Sequence, residues 1–253
     1  MKAAALTCLE GRRAVVIGAS SGIGLACAVA LGRSGAQVTA FARRLETMQA
    51  ALLDAHQPQI DARPLDVTSR SQVEDELLRL VLEGPLDILV CAAGTNVPQR
   101  RLADLTQTAW RTLITTNLLG PASCVRAALP SLRRARGHVV LISSVSALWP
   151  DISGVGYQSS KAGLLALARA AAVEEGAASV RITSILPGIV DTELLDRRPE
   201  PPDAEMRTAA LQPDDVATAC MFVLSFPPRA LITELTILPS QLQAVGATWR
   251  ANV

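Results

Sequence analysis

Tyr157 and Lys161 stand four residues apart in Tyr157-Gln158-Ser159-Ser160-Lys161. That spacing puts a phenol and an ammonium on one face of a helix, a turn apart. A tyrosine hydroxyl at its ordinary pKa of about 10 is protonated at neutral pH. A lysine held close favours the phenolate and lowers that pKa. The pair can then give and take protons near neutrality, as carbonyl reduction or alcohol oxidation requires. The same spacing also occurs on solvated helix faces, so the rest of the chain must supply a reaction site around it.

Part of that site is a glycine-rich turn. Val16-Ile17-Gly18-Ala19-Ser20-Ser21-Gly22-Ile23-Gly24 follows a strand-like run and opens a helix. Its glycines let backbone amides approach a pyrophosphate at a helix N-terminus. The spacing is GxxxGxG rather than the GxGxxG of the standard dinucleotide fingerprint. At the end of the next strand, Ala40-Phe41-Ala42-Arg43-Arg44 carries no acid and two guanidiniums. An acid there would bond the ribose 2′-hydroxyl of NAD, whereas arginine accommodates the 2′-phosphate of NADP. Arg43 and Arg44 therefore predict NADP over NAD. The alternative is that they solvate the start of a helix.

These groups need a scaffold, and apolar strand-like runs alternate with longer Ala/Leu-rich stretches of helical period. Strands are expected at 14–17, 37–41, 61–65, 87–91, 138–142, 180–186 and 231–238. Helices are expected up to about Arg33, up to about Ala55, at 72–82 after a Ser69 or Ser71 cap, from 106 past Pro121 toward 132, at 156–175 and at 214–224. The pattern predicts a doubly wound α/β fold, a parallel Rossmann-type sheet with helices on both faces. One domain is expected over 1–253. The Pro-rich stretch Arg198-Pro199-Glu200-Pro201-Pro202-Asp203 is read as part of a substrate flap at about 192–212.

Composition excludes several function classes. A net charge of +1 and 3% aromatic residues provide neither a polyanion-binding surface nor a base-stacking platform, so no nucleic-acid partner is expected. Five scattered cysteines (Cys8, Cys27, Cys91, Cys124, Cys220), no CxxC pair and two histidines leave no expected metal site or disulfide framework. The apolar run at the N-terminus is broken by Glu10, Arg12 and Arg13, so a secretory signal is not expected. No apolar stretch reaches the roughly 18 residues that span a bilayer. A cytoplasmic protein without membrane partners is the resulting expectation.

With these residues in place, the chain resembles the short-chain dehydrogenase/reductase family over essentially its whole length. Gly18, Gly22 and Gly24 match that family's TGxxxGxG loop, with Ile17 where Thr is usual. Ser20, Ser21 and Ile23 fall within it. Asp66-Val67 resembles the pair whose aspartate bonds the adenine amine. Ala92-Ala93-Gly94 fits the NNAG motif, although Cys91 and Ala92 replace both asparagines. Asn117 resembles the helix asparagine, and Ser144, thirteen residues before Tyr157, the catalytic serine. Pro187, Gly188, Val190 and Thr192 resemble the loop that clasps the nicotinamide carboxamide.

The resemblance implies that Tyr157 is general acid in reduction and base in oxidation. Lys161 would hold the nicotinamide ribose and stabilise the phenolate, and Ser144 would donate to the substrate oxygen. Asn117 would hold a helix break and a water linking Lys161 to solvent. Ser144, Val145, Trp149, Tyr157, Leu194 and Leu195 are expected to form an apolar pocket for a hydrophobic ketone or secondary alcohol. Arg197 and Arg198 read as solvated loop charges ahead of contacts to a carboxylate. The resemblance also implies a homodimer or homotetramer through the helices bearing Asn117 and Tyr157. The leading reading is an NADP-dependent carbonyl reductase or alcohol dehydrogenase. The alternatives are an NAD-dependent dehydrogenase of a steroid, polyol or hydroxy acid, and a nucleotide-sensing protein that has lost the chemistry.

Overall fold

The computed structural model describes residues 9–242. Seven strands form one sheet: β1 (Arg13–Ile17), β2 (Gln37–Ala42), β3 (Asp61–Pro64), β4 (Ile88–Cys91), β5 (His138–Ile142), β6 (Arg181–Pro187) and β7 (Glu234–Ile237). Every pairing is parallel, in the order β3-β2-β1-β4-β5-β6-β7. The helices are α1 (Gly22–Arg33), α2 (Leu45–Asp54), α3 (Arg70–Glu83), α4 (Gln107–Ile114), α5 (Gly120–Ala135), α6 (Val155–Glu175), α7 (Ala204–Ala209) and α8 (Pro213–Leu224). This is the doubly wound architecture expected from the alternation of periods.

Strand periodicity divides the core into two layers. In β1, Val16 packs with Ala28, Met48 and Val216 beneath α1, α2 and α8. Its neighbours Val15 and Ile17 point the other way, into Phe41, Leu77, Cys124 and Leu164 beneath α3, α5 and α6. Successive strand side chains face opposite sides, so a strand covered on both faces has to be apolar throughout. That explains the unbroken run of β4 and β5, which are buried at every position. Cys27, Cys91, Cys124 and Cys220 are free thiols inside these layers; Cys8 lies outside the described residues.

Local signals set the helix boundaries. Ser69, rather than Ser71, caps α3, its hydroxyl accepting from the Gln72 amide at 3.4 Å. The long helix expected from residue 106 starts at its Thr106 cap and runs to Ala135, but Thr115–Leu119 forms a π turn between α4 and α5. α7 was not foreseen, although Asp203 signals it by accepting from the Met206 amide at 2.8 Å. β7 is shorter than the 231–238 run suggests. No helix of the described residues is long and apolar enough to cross a membrane.

The site follows from strand order. β1 pairs with β2 on one side and β4 on the other, so the winding reverses there. The loops after β1 and β4 diverge to opposite faces and leave a crevice at the carboxyl edge of the sheet, where doubly wound folds bind ligands.

Candidate active site

Two loops wall that crevice. Gly18 follows β1 at φ +89, and a Cβ placed on it would lie 2.5 Å from the Ala93 nitrogen. A Cβ on Gly24 would lie 2.1 Å from the Gly18 carbonyl oxygen. Only glycine satisfies both the positive φ of the first and the closeness of each. The helix that opens here, α1, has Ser21 as N-cap with no side-chain capping bond. Its first-turn amides are therefore available to an anion.

The cleft is about 280 Å³ and is lined by Gly18, Ser20, Ser21, Gly22, Ile23 and Gly24, with Arg43 and Arg44 at the β2 end. Leu65 and Val67 line it from the end of β3, Ala92, Ala93 and Gly94 from the end of β4, and Tyr157 and Lys161 from α6. Cys91 and Ala92 stand in place of two asparagines without opening the wall: the Ala92 amide still donates to the Ile17 carbonyl at 2.9 Å. Asp66 sits between two lining residues, but its Oδ1 accepts from the Thr68 amide and hydroxyl at 2.9 and 2.8 Å. Free amides, glycines where a side chain would clash and the two guanidiniums fit a dinucleotide bearing an extra phosphate.

A second cavity of about 630 Å³ opens beside the cleft, and the two share Ile23, Ser143, Tyr157, Thr192 and Leu194. Tyr157 thus borders both spaces. Ser144, Val145, Leu194 and Leu195 line the second cavity, and so do Pro187, Gly188 and Val190. Trp149 corrects the expectation. It lies with Leu148 on a neighbouring open groove and not on this cavity. The 3-10 turn Val145–Ala147 ends just before it, so the chain has already turned outward.

Polar side chains from α6, the π turn and the loop after β5 build the surroundings of Tyr157. Lys161, 4% exposed, donates from Nζ to the Ile142 carbonyl at 2.9 Å, and its Nζ lies 5.8 Å from the centroid of the Tyr157 ring. Asn117 is fully buried in the π turn. Its Oδ1 accepts from the Thr95 amide at 2.8 Å, and its Nδ2 donates to the Thr95 carbonyl at 2.9 Å and to the Ser160 hydroxyl at 3.0 Å. The side chain of Asn117 therefore ties the loop after β4 to α6. Ser144 donates from Oγ to Ser146 Oγ at 3.1 Å and accepts from the Ser146 amide at 3.1 Å. Ser146 donates in turn to Asp151. The neighbour Ser143 turns inward, bonding the Lys161 carbonyl at 3.1 Å.

The electrostatics correct a second expectation. Burial pushes the Tyr157 phenol up to about 12, against the pull of the Ser144 hydrogen bond; Asp151 adds to the rise, and Arg100 and Arg198 oppose it. Lys161 is not among these influences, and burial lowers its own pKa to about 8. A phenol withdrawn from water is costly to ionise. The protein alone thus holds Tyr157 as a neutral acid.

Several residues at this site carry no signal in the sequence. Asn96, Arg100, Ser146, Asp151 and Ser153 line the second cavity, and Glu193 pairs with Arg44 at 2.8 Å. No motif flags them, because loop tertiary structure alone brings them in. Arg198 is not the solvated loop charge its sequence context suggests: it lines the cavity and is half-buried.

Comparison with known proteins agrees with this geometry. A family model for the short chain dehydrogenases matches residues 12–203. An uncharacterized oxidoreductase of Staphylococcus aureus is 32% identical over 237 residues, spanning 92% of this chain and all of that relative. An alcohol dehydrogenase of the archaeon Thermococcus sibiricus, solved with 5-hydroxy-NADP, superposes with a TM-score of 0.83 at 29% identity, covering 92% of this chain and 98% of its own. The closed form of a serine dehydrogenase with NADP+ gives a TM-score of 0.83 at 28% identity, covering 95% and 100%. The chain belongs to the short-chain dehydrogenase family, a family of oxidoreductases.

Proposed function

We propose that this chain is an NADP(H)-dependent reductase of ketones and dehydrogenase of secondary alcohols. The observation that carries this reading is the position of Tyr157, which borders both the dinucleotide-shaped cleft and the second cavity. The bound cofactor would supply or accept the hydride; the residues of this chain supply geometry and the proton. Gly18 to Gly24 would seat the pyrophosphate on the α1 amides, and Arg43 and Arg44 the 2′-phosphate. Val67 and Ala92 to Gly94 would wall the adenosine and ribose, and Thr192 the carboxamide. The NADP ligands of the T. sibiricus enzyme and of the serine dehydrogenase support this choice of cofactor.

Tyr157, neutral because it is buried, is in the form that donates a proton to a carbonyl oxygen. Ser144, turning its hydroxyl away from Ser146, donates a hydrogen bond to the same oxygen, where negative charge develops. Lys161, fixed by the Ile142 carbonyl, carries the positive charge that offsets a phenolate once the proton has left. Asn117 positions this group by joining the Thr95 loop to α6. Residues 192–212 act as a flap over the substrate. Exposed Ala162, Ala166 and Ala170 along α6 support close helix packing in a homodimer or homotetramer. A panel of ketones assayed with NADPH and NADH tests the proposal. It expects turnover with NADPH that exceeds turnover with NADH. Absence of turnover across the panel despite cofactor binding would overturn it.

A further inference from the structure

The second cavity is not uniformly apolar. Its wall next to Tyr157 carries two guanidiniums, Arg100 and Arg198. Arg198 ends the short 3-10 turn Leu195–Arg197 at φ −70, ψ 147. This is the extended geometry imposed on a residue preceding proline, here Pro199. Leu195, 6% exposed, anchors the turn in the protein. The direction in which Arg198 leaves the backbone is therefore fixed. Among the described residues no acid lies within ion-pair distance of its guanidinium, and its side chain has no hydrogen-bond partner.

Arg100 buttresses this arrangement. It donates from Nη1 to the Ser153 carbonyl at 2.8 Å and from Nη2 to the Arg197 carbonyl at 3.3 Å. Its Nε is buried with no partner, and a buried donor left unpaired is costly. Arg197 in turn donates to the Thr95 hydroxyl at 2.6 Å, tying the segment to the loop after β4. Burial lowers the pKa of both Arg100 and Arg198. Each guanidinium has thus given up water without gaining a full set of acceptors.

The opposing charge is Asp151, and its oxygens are committed. Oδ1 accepts from the Ser153 amide at 2.8 Å and from the Ser153 hydroxyl, and Oδ2 accepts from Ser146. Glu200 and Asp203 also border the cavity but are exposed at its rim. On the inner wall of this second cavity, which Lys161 does not line, Arg100 and Arg198 face Asp151 alone, a surplus of one positive charge.

We propose that Arg198, supported by Arg100, forms an anion subsite, so that the physiological substrate is a hydroxy acid or oxo acid held by its carboxylate. This rests on the proposed function and narrows its substrate class. A guanidinium takes a carboxylate through paired N–H donors. A single surplus positive charge matches a monoanion better than a doubly charged phosphate ester. The carboxylate lies on Arg198 while the hydroxyl or carbonyl carbon faces Tyr157 and Ser144.

The test is calorimetric titration of the NADP+-loaded enzyme with 2- and 3-hydroxybutyrate and with their methyl esters, on the wild type, Arg198→Gln and Arg198→Lys. The subsite predicts that the wild type binds at least one acid about tenfold or more tighter than its ester. Arg198→Gln weakens acid binding by roughly 10- to 100-fold and leaves the esters within about threefold. Arg198→Lys, which keeps the charge but not the fork, falls between. Equal binding of acids and esters by the wild type, no binding of either acid, or an equal loss for both in Arg198→Gln would overturn the subsite. A neutral-ketone assay with NADPH separates this from the parent reading. Ketone turnover without an acid advantage sinks the subsite alone. Acid binding through Arg198 with no turnover of any substrate sinks the reductase reading alone.

Discussion

Arg44 and Glu193, 149 positions apart, meet across the mouth of the cofactor cleft with Nη2 2.8 Å from Oε2. The same nitrogen also reaches the hydroxyls of Ser20 and Ser21, at 3.3 and 3.0 Å. A carboxylate from the 192–212 segment thus sits on the guanidinium proposed to take the 2′-phosphate. Any phosphate binding there has to exchange with it. The pair is half-exposed, so its own strength is small. Glu193→Gln is expected to tighten NADPH binding by about two- to fivefold and to change NADH binding less. Arg44→Glu is expected to weaken NADPH by roughly 10- to 100-fold and to narrow the difference between the two cofactors. Fluorescence titration with both nucleotides measures this; unchanged NADPH affinity in both variants contradicts it.

The Ser144 hydroxyl donates a hydrogen bond to Ser146, and the Ser146 hydroxyl donates one to Asp151. This chain fixes the place of the Ser144 oxygen beside the phenol. If Ser144 stabilises the charge growing on the substrate oxygen, Ser144→Ala lowers kcat by about 10² to 10³. Asp151→Asn keeps the shape and weakens the acceptor, and should lower kcat by about tenfold with NADPH binding preserved. Steady-state kinetics with NADPH saturating distinguish the two. A Ser144→Ala enzyme with undiminished kcat removes the serine from the mechanism.

His138 makes stability depend on acid. Thr183 spends its hydroxyl proton on the Ile232 carbonyl at 2.6 Å, so it accepts from His138 Nε2 at 2.8 Å. That leaves Nδ1 as the buried atom without a partner. Protonating it would bury a charge near Arg181, and burial first, then Arg181, lowers the pKa to about 3. The unfolded chain takes up this proton near its ordinary pKa of about 6.5. A base with a depressed folded pKa contributes stability above the unfolded value and loses it as pH falls toward the folded one. Between pH 7.5 and pH 5 this one group should cost about 2 kcal/mol. Urea unfolding at the two pH values, with His138→Asn as control, checks it. If the variant loses as much stability as the wild type over that interval, His138 is not the cause.

Much of this was legible in the chain because it is written in local periods and turns. The strands at β1, β4 and β5 were visible as short apolar runs, and the cleft walls as glycines that leave no room for a side chain. Tyr157 and Lys161 are legible from their spacing, and Ser144 from the resemblance to the family. What was not legible depends on distant parts of the chain meeting. Trp149 was expected in the cavity on proximity in sequence, but the turn before it aims the side chain elsewhere. Arg198 reads as a loop charge because no local pattern shows that the chain between Leu195 and Pro199 brings it to the cavity that Tyr157 also lines. The phenol's raised pKa reflects burial by several elements, which the lysine four residues on could not disclose.

The proton-donating role of Tyr157 is tested most directly by single-turnover reduction of a ketone with NADPH in Tyr157→Phe. The change removes one oxygen and leaves the ring to fill the same space between cleft and cavity. The account predicts a fall in the reduction step of about 10² to 10⁴, with NADPH bound as in the wild type. Reduction at the wild-type rate would contradict it.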